Sequence, residues 1–234
     1  MGKLFAITAV LSLAIAALSG AAIGAPSFLS TSGNILTPDD VVLDVGSFSA
    51  NFHAIDVEDT DRTLTIIGAN VGVTPSLELG IARFDPDSGD EETIISGKYR
   101  VLAETPARPS VVVGAVDVTG ELDPDDDPGF YVVVGKNLTP TFTNVAGRPT
   151  RPLKGYIGIG TGVLDGLFAA IDWTISDRAR IIAEFINESE LVGNNDSVFN
   201  VGVRFALTNE LRGDLALIDA DDLGFGISYT KIGF

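Results

Sequence analysis

The sequence predicts an all-β protein: a single up-and-down antiparallel transmembrane β-barrel of about 12 strands. Three observations carry that reading. From Val41 onward, apolar runs of strand length recur between polar breaks, and several alternate with period 2. The connections between these runs sort by charge according to whether they are odd- or even-numbered. Mean hydropathy is +0.31 although 20% of residues are charged, yet glycines and charges interrupt every apolar run beyond the N-terminus. Apolar content of that kind suits strands with lipid on one face and a polar lumen on the other.

The predicted strands are 41–54, 63–73, 77–84, 93–102, 110–118, 129–137, 155–162, 167–175, 179–187, 198–206, 211–218 and 223–233. In the last, Leu223, Phe225, Ile227 and Tyr229 share one face, with Gly224, Gly226, Ser228 and Thr230 on the other. Phe199, Val201, Val203 and Phe205 likewise oppose Asn200, Gly202 and Arg204. Val111–Val113 and Val132–Val134 are apolar on both faces, a pattern that also fits a soluble sandwich core. No run holds a 3.6-residue apolar stripe.

Odd-numbered connections (55–62, 85–92, 119–128, 163–166, 188–197, 219–222) contain 21 of the 32 acidic residues and one basic residue, Arg62. Even-numbered connections are mostly short and carry Arg108, Arg148, Arg151, Lys154 and Arg178. In an up-and-down barrel the two sets emerge at opposite ends. One rim is then acidic and the other mildly basic, and with an even strand number both termini lie at the basic, short-turn rim. That rim is periplasmic in outer-membrane barrels, whose longer loops face outward. A soluble sandwich has no reason to sort charge this way.

The N-terminus fits export. Met1-Gly-Lys3 is a short basic start, Leu4–Leu18 is apolar, and small residues follow up to Ala25, the layout of a cleaved signal peptide over residues 1–25. Residues 26–40 have turn chemistry and read as an ordered periplasmic lead-in, with the lumen as one place for it; the barrel proper is taken as 41–234. There is no cysteine, so a closed hydrogen-bonded ladder rather than disulfides must hold the exported chain. A net charge of −17 argues against nucleic-acid binding.

Two resemblances accompany this reading. The final Phe234 resembles the C-terminal signature of outer-membrane barrels, which implies a signal for the barrel-assembly machinery. Ser32-Gly-Asn-Ile-Leu-Thr-Pro38 followed by Val42-Leu-Asp-Val-Gly-Ser-Phe-Ser-Ala-Asn-Phe52 resembles the opening of YjbH-like outer-membrane proteins. Gly97–Leu102, Asp165–Ala170 and Asn200–Phe205 are similar in style. The resemblance implies an outer-membrane barrel associated with exopolysaccharide secretion, with no catalytic residues to transfer.

Site chemistry is sparse. His53 is the only histidine and has no Gly-x-Ser-x-Gly or comparable nucleophile setting, so a structural role is expected and no enzyme activity. Neither a zinc site nor a cofactor is expected. Asp85, Asp87, Asp123, Asp125 and Asp127 are weak Ca²⁺ ligands in loops that do not match an EF-hand. Lys98, Arg100, Lys136, Asp172, Arg180, Glu184, Arg204 and Asp214 are candidates to face the lumen, as an ion-paired filling or as the wall of a narrow channel. The expected function is a narrow channel or an envelope export component. The alternatives are a structural or adhesive barrel with ion-binding loops, or a soluble periplasmic binder. Expected partners are outer-membrane lipid, lipopolysaccharide and the assembly machinery, with divalent cations or polysaccharide at the acidic loops.

The topology predicts that cysteines at Asp87 and Asp125 react with a membrane-impermeant reagent on intact cells while one at Ser76 does not. Equal labelling of all three would contradict it.

Overall fold

The computed structural model describes residues 24–57, 62–87, 89–123, 125, 127–139, 151–188 and 197–233. Most of the expected signal peptide, the terminal Phe234 and much of the long sixth connection lie outside the described residues. The strands are β1 (Phe48–Val57), β2 (Arg62–Thr74), β3 (Leu77–Pro86), β4 (Glu92–Leu102), β5 (Ser110–Asp117) and β6 (Gly129–Asn137). They continue as β7 (Leu153–Gly160), β8 (Gly166–Thr174), β9 (Ala179–Ile186), β10 (Val198–Ala206), β11 (Leu211–Ile218) and β12 (Asp222–Lys231). Each pairs antiparallel with its neighbours in sequence, and β1 pairs with β12, so the sheet closes into a twelve-stranded barrel.

The alternation read from the sequence is the physical basis of the wall. Ile67, Ile81, Ile95, Ile157, Ile171 and Phe225 project from the outer face and are roughly half exposed. Their inward neighbours are buried, so the barrel wears an apolar belt over a protected interior. A belt of this extent has no favourable place in water, whereas lipid accepts it without cost. Closure removes the two free strand edges, which lipid could not hydrogen-bond.

The closing seam is packed on both sides. Outside, the Phe52 and Phe225 rings lie 6.0 Å apart and Phe48 and Tyr229 5.9 Å apart, both pairs tilted. Inside, His53 crosses Gly226, where a Cβ would run into the imidazole. The register of β1 on β12 runs unbroken from Phe48↔Lys231 to Asp56↔Leu223. Pairing ends at Lys231, and Ile232 lies beyond the strand and exposed. The outward alternation of Leu223, Phe225, Ile227 and Tyr229 stops with the strand.

One strand starts later than its sequence suggests. The apolar run at 41–45 belongs not to β1 but to the segment before it. The Leu43 amide donates to Glu78, Ser47 turns back onto the Asp44 carbonyl, and Gly46 takes a positive φ of 74°. β1 begins only after that turn. Residues 24–43 pass inside the barrel, where nearly all are buried. Two isolated bridges, Pro26↔Ser32 and Gly33↔Pro38, fold them into a compact double turn.

Candidate functional site: the occupied lumen

Because the chain goes up and down, β1 begins and β12 ends at one rim, here the terminal rim, and the acidic connections leave at the other. Residues 24–43 sit inside the wall, held by charged side chains from strands all round it. Glu184 on β9 makes the largest set of bonds. Its carboxylate accepts from the backbone amides of Ile35 (3.2 Å), Leu36 (2.7 Å) and Thr37 (3.1 Å). It also accepts from the Thr37 hydroxyl at 2.8 Å and from the Asn200 amide at 2.7 Å. Three successive amides aimed at one carboxylate make a compact anion cradle, and hydrogen bonds to a charged group are the stronger kind.

Arg204 on β10 does the converse for carbonyls. Its Nε donates to Asp214 at 2.5 Å, while its two terminal nitrogens donate to Gly33 O (2.7 Å), Pro26 O (3.1 Å) and Asn34 O (2.9 Å). Glu78 on β3 accepts from the Ser32 amide and hydroxyl, each at 2.8 Å, and from the Leu43 amide at 3.0 Å. Lys98 on β4 pairs with Asp39 at 2.9 Å and donates to Val41 O and Ser32 O.

Asp40 meets Lys154 at 2.9 Å and accepts from the Ser110 hydroxyl at 2.5 Å. Burial alone would raise the Asp40 pKa, but the Lys154 ammonium and the Ser110 hydroxyl outweigh it and hold the carboxyl below its usual value. A carboxyl depressed in the folded state contributes stability above its unfolded pKa of about 4 and loses it only in stronger acid.

The rest of the filling is apolar. Phe28, Leu29, Ile35 and Leu36 of the inner segment join Ile66, Phe84, Ile94, Val112, Phe168 and Ile186 of the wall in one buried cluster. The wall makes room for them with glycine. A Cβ at Gly224 would lie 2.7 Å from the Phe28 ring, one at Gly202 2.9 Å from Ile35 Cδ1, and one at Gly135 2.9 Å from Asp40 Cγ. Wall and filling are thus matched in shape as well as in charge.

Of the lumen candidates, Lys98, Asp172, Glu184, Arg204 and Asp214 are buried on the inner face, and Arg180 pairs with Asp172 at 2.6 Å. Arg100 and Lys136 sit instead at the terminal rim, donating to carbonyls of the turns there, Pro75 O at 2.6 Å and Thr105 O at 2.7 Å. His53 is fully buried, its ring stacked 4.2 Å from that of Phe28. The loop carboxylates Asp85, Asp87, Asp123, Asp125 and Asp127 do not converge. Among the described residues no three metal-ligating side chains form a metal-holding group. Asp123 is occupied in its own loop, accepting from the amide of Asp125 at 2.9 Å. Sequence reasoning missed Glu78, Asp39, Asp40 and Lys154. The inward glycines were the available signal, since they mark where the wall is hollowed.

No protein-family model and no curated protein matches this chain. The YjbH-like resemblance therefore gains no support, and with it the exopolysaccharide association. Among solved structures the chain is similar to the KdgM porin, with a TM-score of 0.50 and 11% identity over 80% of this chain and 99% of that one. It is similar also to the KdgM porin in complex with disordered oligogalacturonate, with a TM-score of 0.51, 11% identity and the same coverage. The likeness is one of fold: this chain is a closed twelve-stranded antiparallel barrel similar in fold to those structures.

Glu184→Ala would strand three buried amides, at about 1–3 kcal/mol for each unsatisfied group. Even a net loss of about 3 kcal/mol is a factor of roughly 150 in the equilibrium for releasing the segment. In detergent-solubilised protein, a cysteine at Ser32 should react with a small thiol reagent at least about tenfold faster in the Glu184→Ala background. Equal rates would mean that Glu184 does not hold the segment.

Proposed function

We propose that this protein is a narrow, gated channel of the outer membrane, closed by its own N-terminal segment, and that it carries out no covalent chemistry. The observation that carries the proposal is the chemical character of the wall where the segment lies. Glu78, Lys98, Lys154, Glu184 and Arg204 face the lumen there. A barrel that stays permanently filled gains little from burying charges, because well-packed apolar residues in place of buried ion pairs are often as stable or more so. The same charges are useful in a lumen that is sometimes wet, where they would line a polar passage.

The segment runs into the barrel wall through the turn at Asp44–Ser47. That anchor lies at the terminal rim, so withdrawal would run toward that side, which this reading makes periplasmic. The porin-type fold and the apolar belt support membrane residence. On this reading the acidic loops face outward toward lipopolysaccharide. The burial of His53 beneath Phe28 supports a structural role for it.

Planar-bilayer recording tests the reading. The full mature protein should stay closed or open only briefly, whereas a variant lacking residues 26–43 should conduct steadily. The variant's fold is checked by a heat-dependent shift in gel mobility. A folded, shortened barrel that passes no current would overturn the channel proposal.

A further inference from the structure

Among the described residues, Arg212 is a buried cation whose terminal nitrogens the filled lumen leaves unmatched. It is the second residue of β11, faces inward and is 2% exposed, yet neither terminal nitrogen of its guanidinium has a hydrogen-bond partner. On β8–β11 the inner wall near the terminal rim carries Arg180, Arg204 and Arg212 against Asp172 and Asp214, while Glu184, further in along β9, is taken up by the inner segment. Arg180 takes Asp172 at 2.6 Å and Arg204 takes Asp214 at 2.5 Å. Among the described residues Arg212 makes no ion pair, and neither of its terminal nitrogens finds an acceptor.

Its cross-strand partner in register is Ser228 on β12, whose hydroxyl is also buried and without a partner. Ser228 in turn stands opposite Asn51 on β1, and the Asn51 side-chain oxygen is likewise unsatisfied. The second oxygen of Asp214, two residues along β11, has no donor either. Orphaned polar atoms are rare in folded interiors, and here five residues on three adjacent strands carry them together, His53 with its Nε2 being the fifth. A buried guanidinium without a counter-charge is costly, and water satisfies its hydrogen bonds without neutralising it.

We propose that this corner of the lumen is a binding site for a small oxyanion. The Arg212 guanidinium supplies a planar pair of donors, the geometry in which arginine grips carboxylate and phosphate oxygens. The Ser228 hydroxyl supplies a third donor. Asp214, its charge already met by Arg204, keeps Oδ2 available to accept from a protonated oxyanion such as hydrogen phosphate. Arg212 is the second residue of β11 and follows directly on the β10–β11 turn, so the site lies close to the terminal rim.

The test uses the purified barrel in detergent, free of phosphate and sulfate, with inorganic phosphate titrated by calorimetry. The wild type should bind saturably with one site. Arg212→Gln should weaken binding at least tenfold, while Arg62→Gln, at the far rim, should leave it unchanged. Where Arg212→Gln fails to give the heat-shifted folded band, Ser228→Ala replaces it and should weaken binding several-fold. No saturable binding by the wild type, or equal binding by the folded variant, overturns the proposal. Because phosphate binding is read without ion flow, a barrel that never conducts can still pass this test, and a conducting barrel can fail it.

Discussion

A carboxylate placed inside a membrane barrel must be answered, and the way Glu184 is answered organises this molecule. Desolvating a charge costs several kcal/mol unless hydrogen bonds replace its water. Here the replacement is the backbone of the chain's own N-terminal segment, three amides in a row from Ile35 to Thr37. Arg204 does the same for three carbonyls of that segment. Wall and filling are therefore electrically complementary at the level of the main chain, so the match depends on the segment's conformation more than on its side chains.

Shape follows charge. Twelve strands enclose more space than their inward side chains fill, an intermediate between small packed barrels and open porins. The inner segment takes up that space, and glycines at 135, 202 and 224 hollow the wall where Asp40, Ile35 and Phe28 press against it. The apolar residues of the segment then complete a core shared with the strands. Closure at the β1–β12 seam ties the two problems together, because His53, which crosses the seam at Gly226, is also the platform for Phe28.

The wall was legible in the sequence because a period of 2 and the parity of charged connections are local signals. Eleven of the strands start within two residues of where alternation put them. Only β1 was misplaced, because Val41–Val45 is as apolar as a strand while its backbone bonds inward to Glu78 and Lys98. The filling was much less legible. Its partners lie up to 178 residues away in sequence, as Pro26 and Arg204 do, and no periodicity links them. Lys98, Glu184 and Arg204 could be put on an inner face, but what they bind there is main chain, which carries no side-chain signature. Asp39 and Asp40 read as turn residues for the same reason.

The account rests on residues 24–43 being a built part of the closed barrel and not a strand-like tail outside it. Amide hydrogen exchange on the folded protein in micelles measures this directly. The amides of Ile35, Leu36 and Thr37 should exchange as slowly as those of the neighbouring β9 and β10 strands. Exchange of all three at the rate of an exposed loop would mean that Glu184 does not hold them and that the lumen is not closed by this segment.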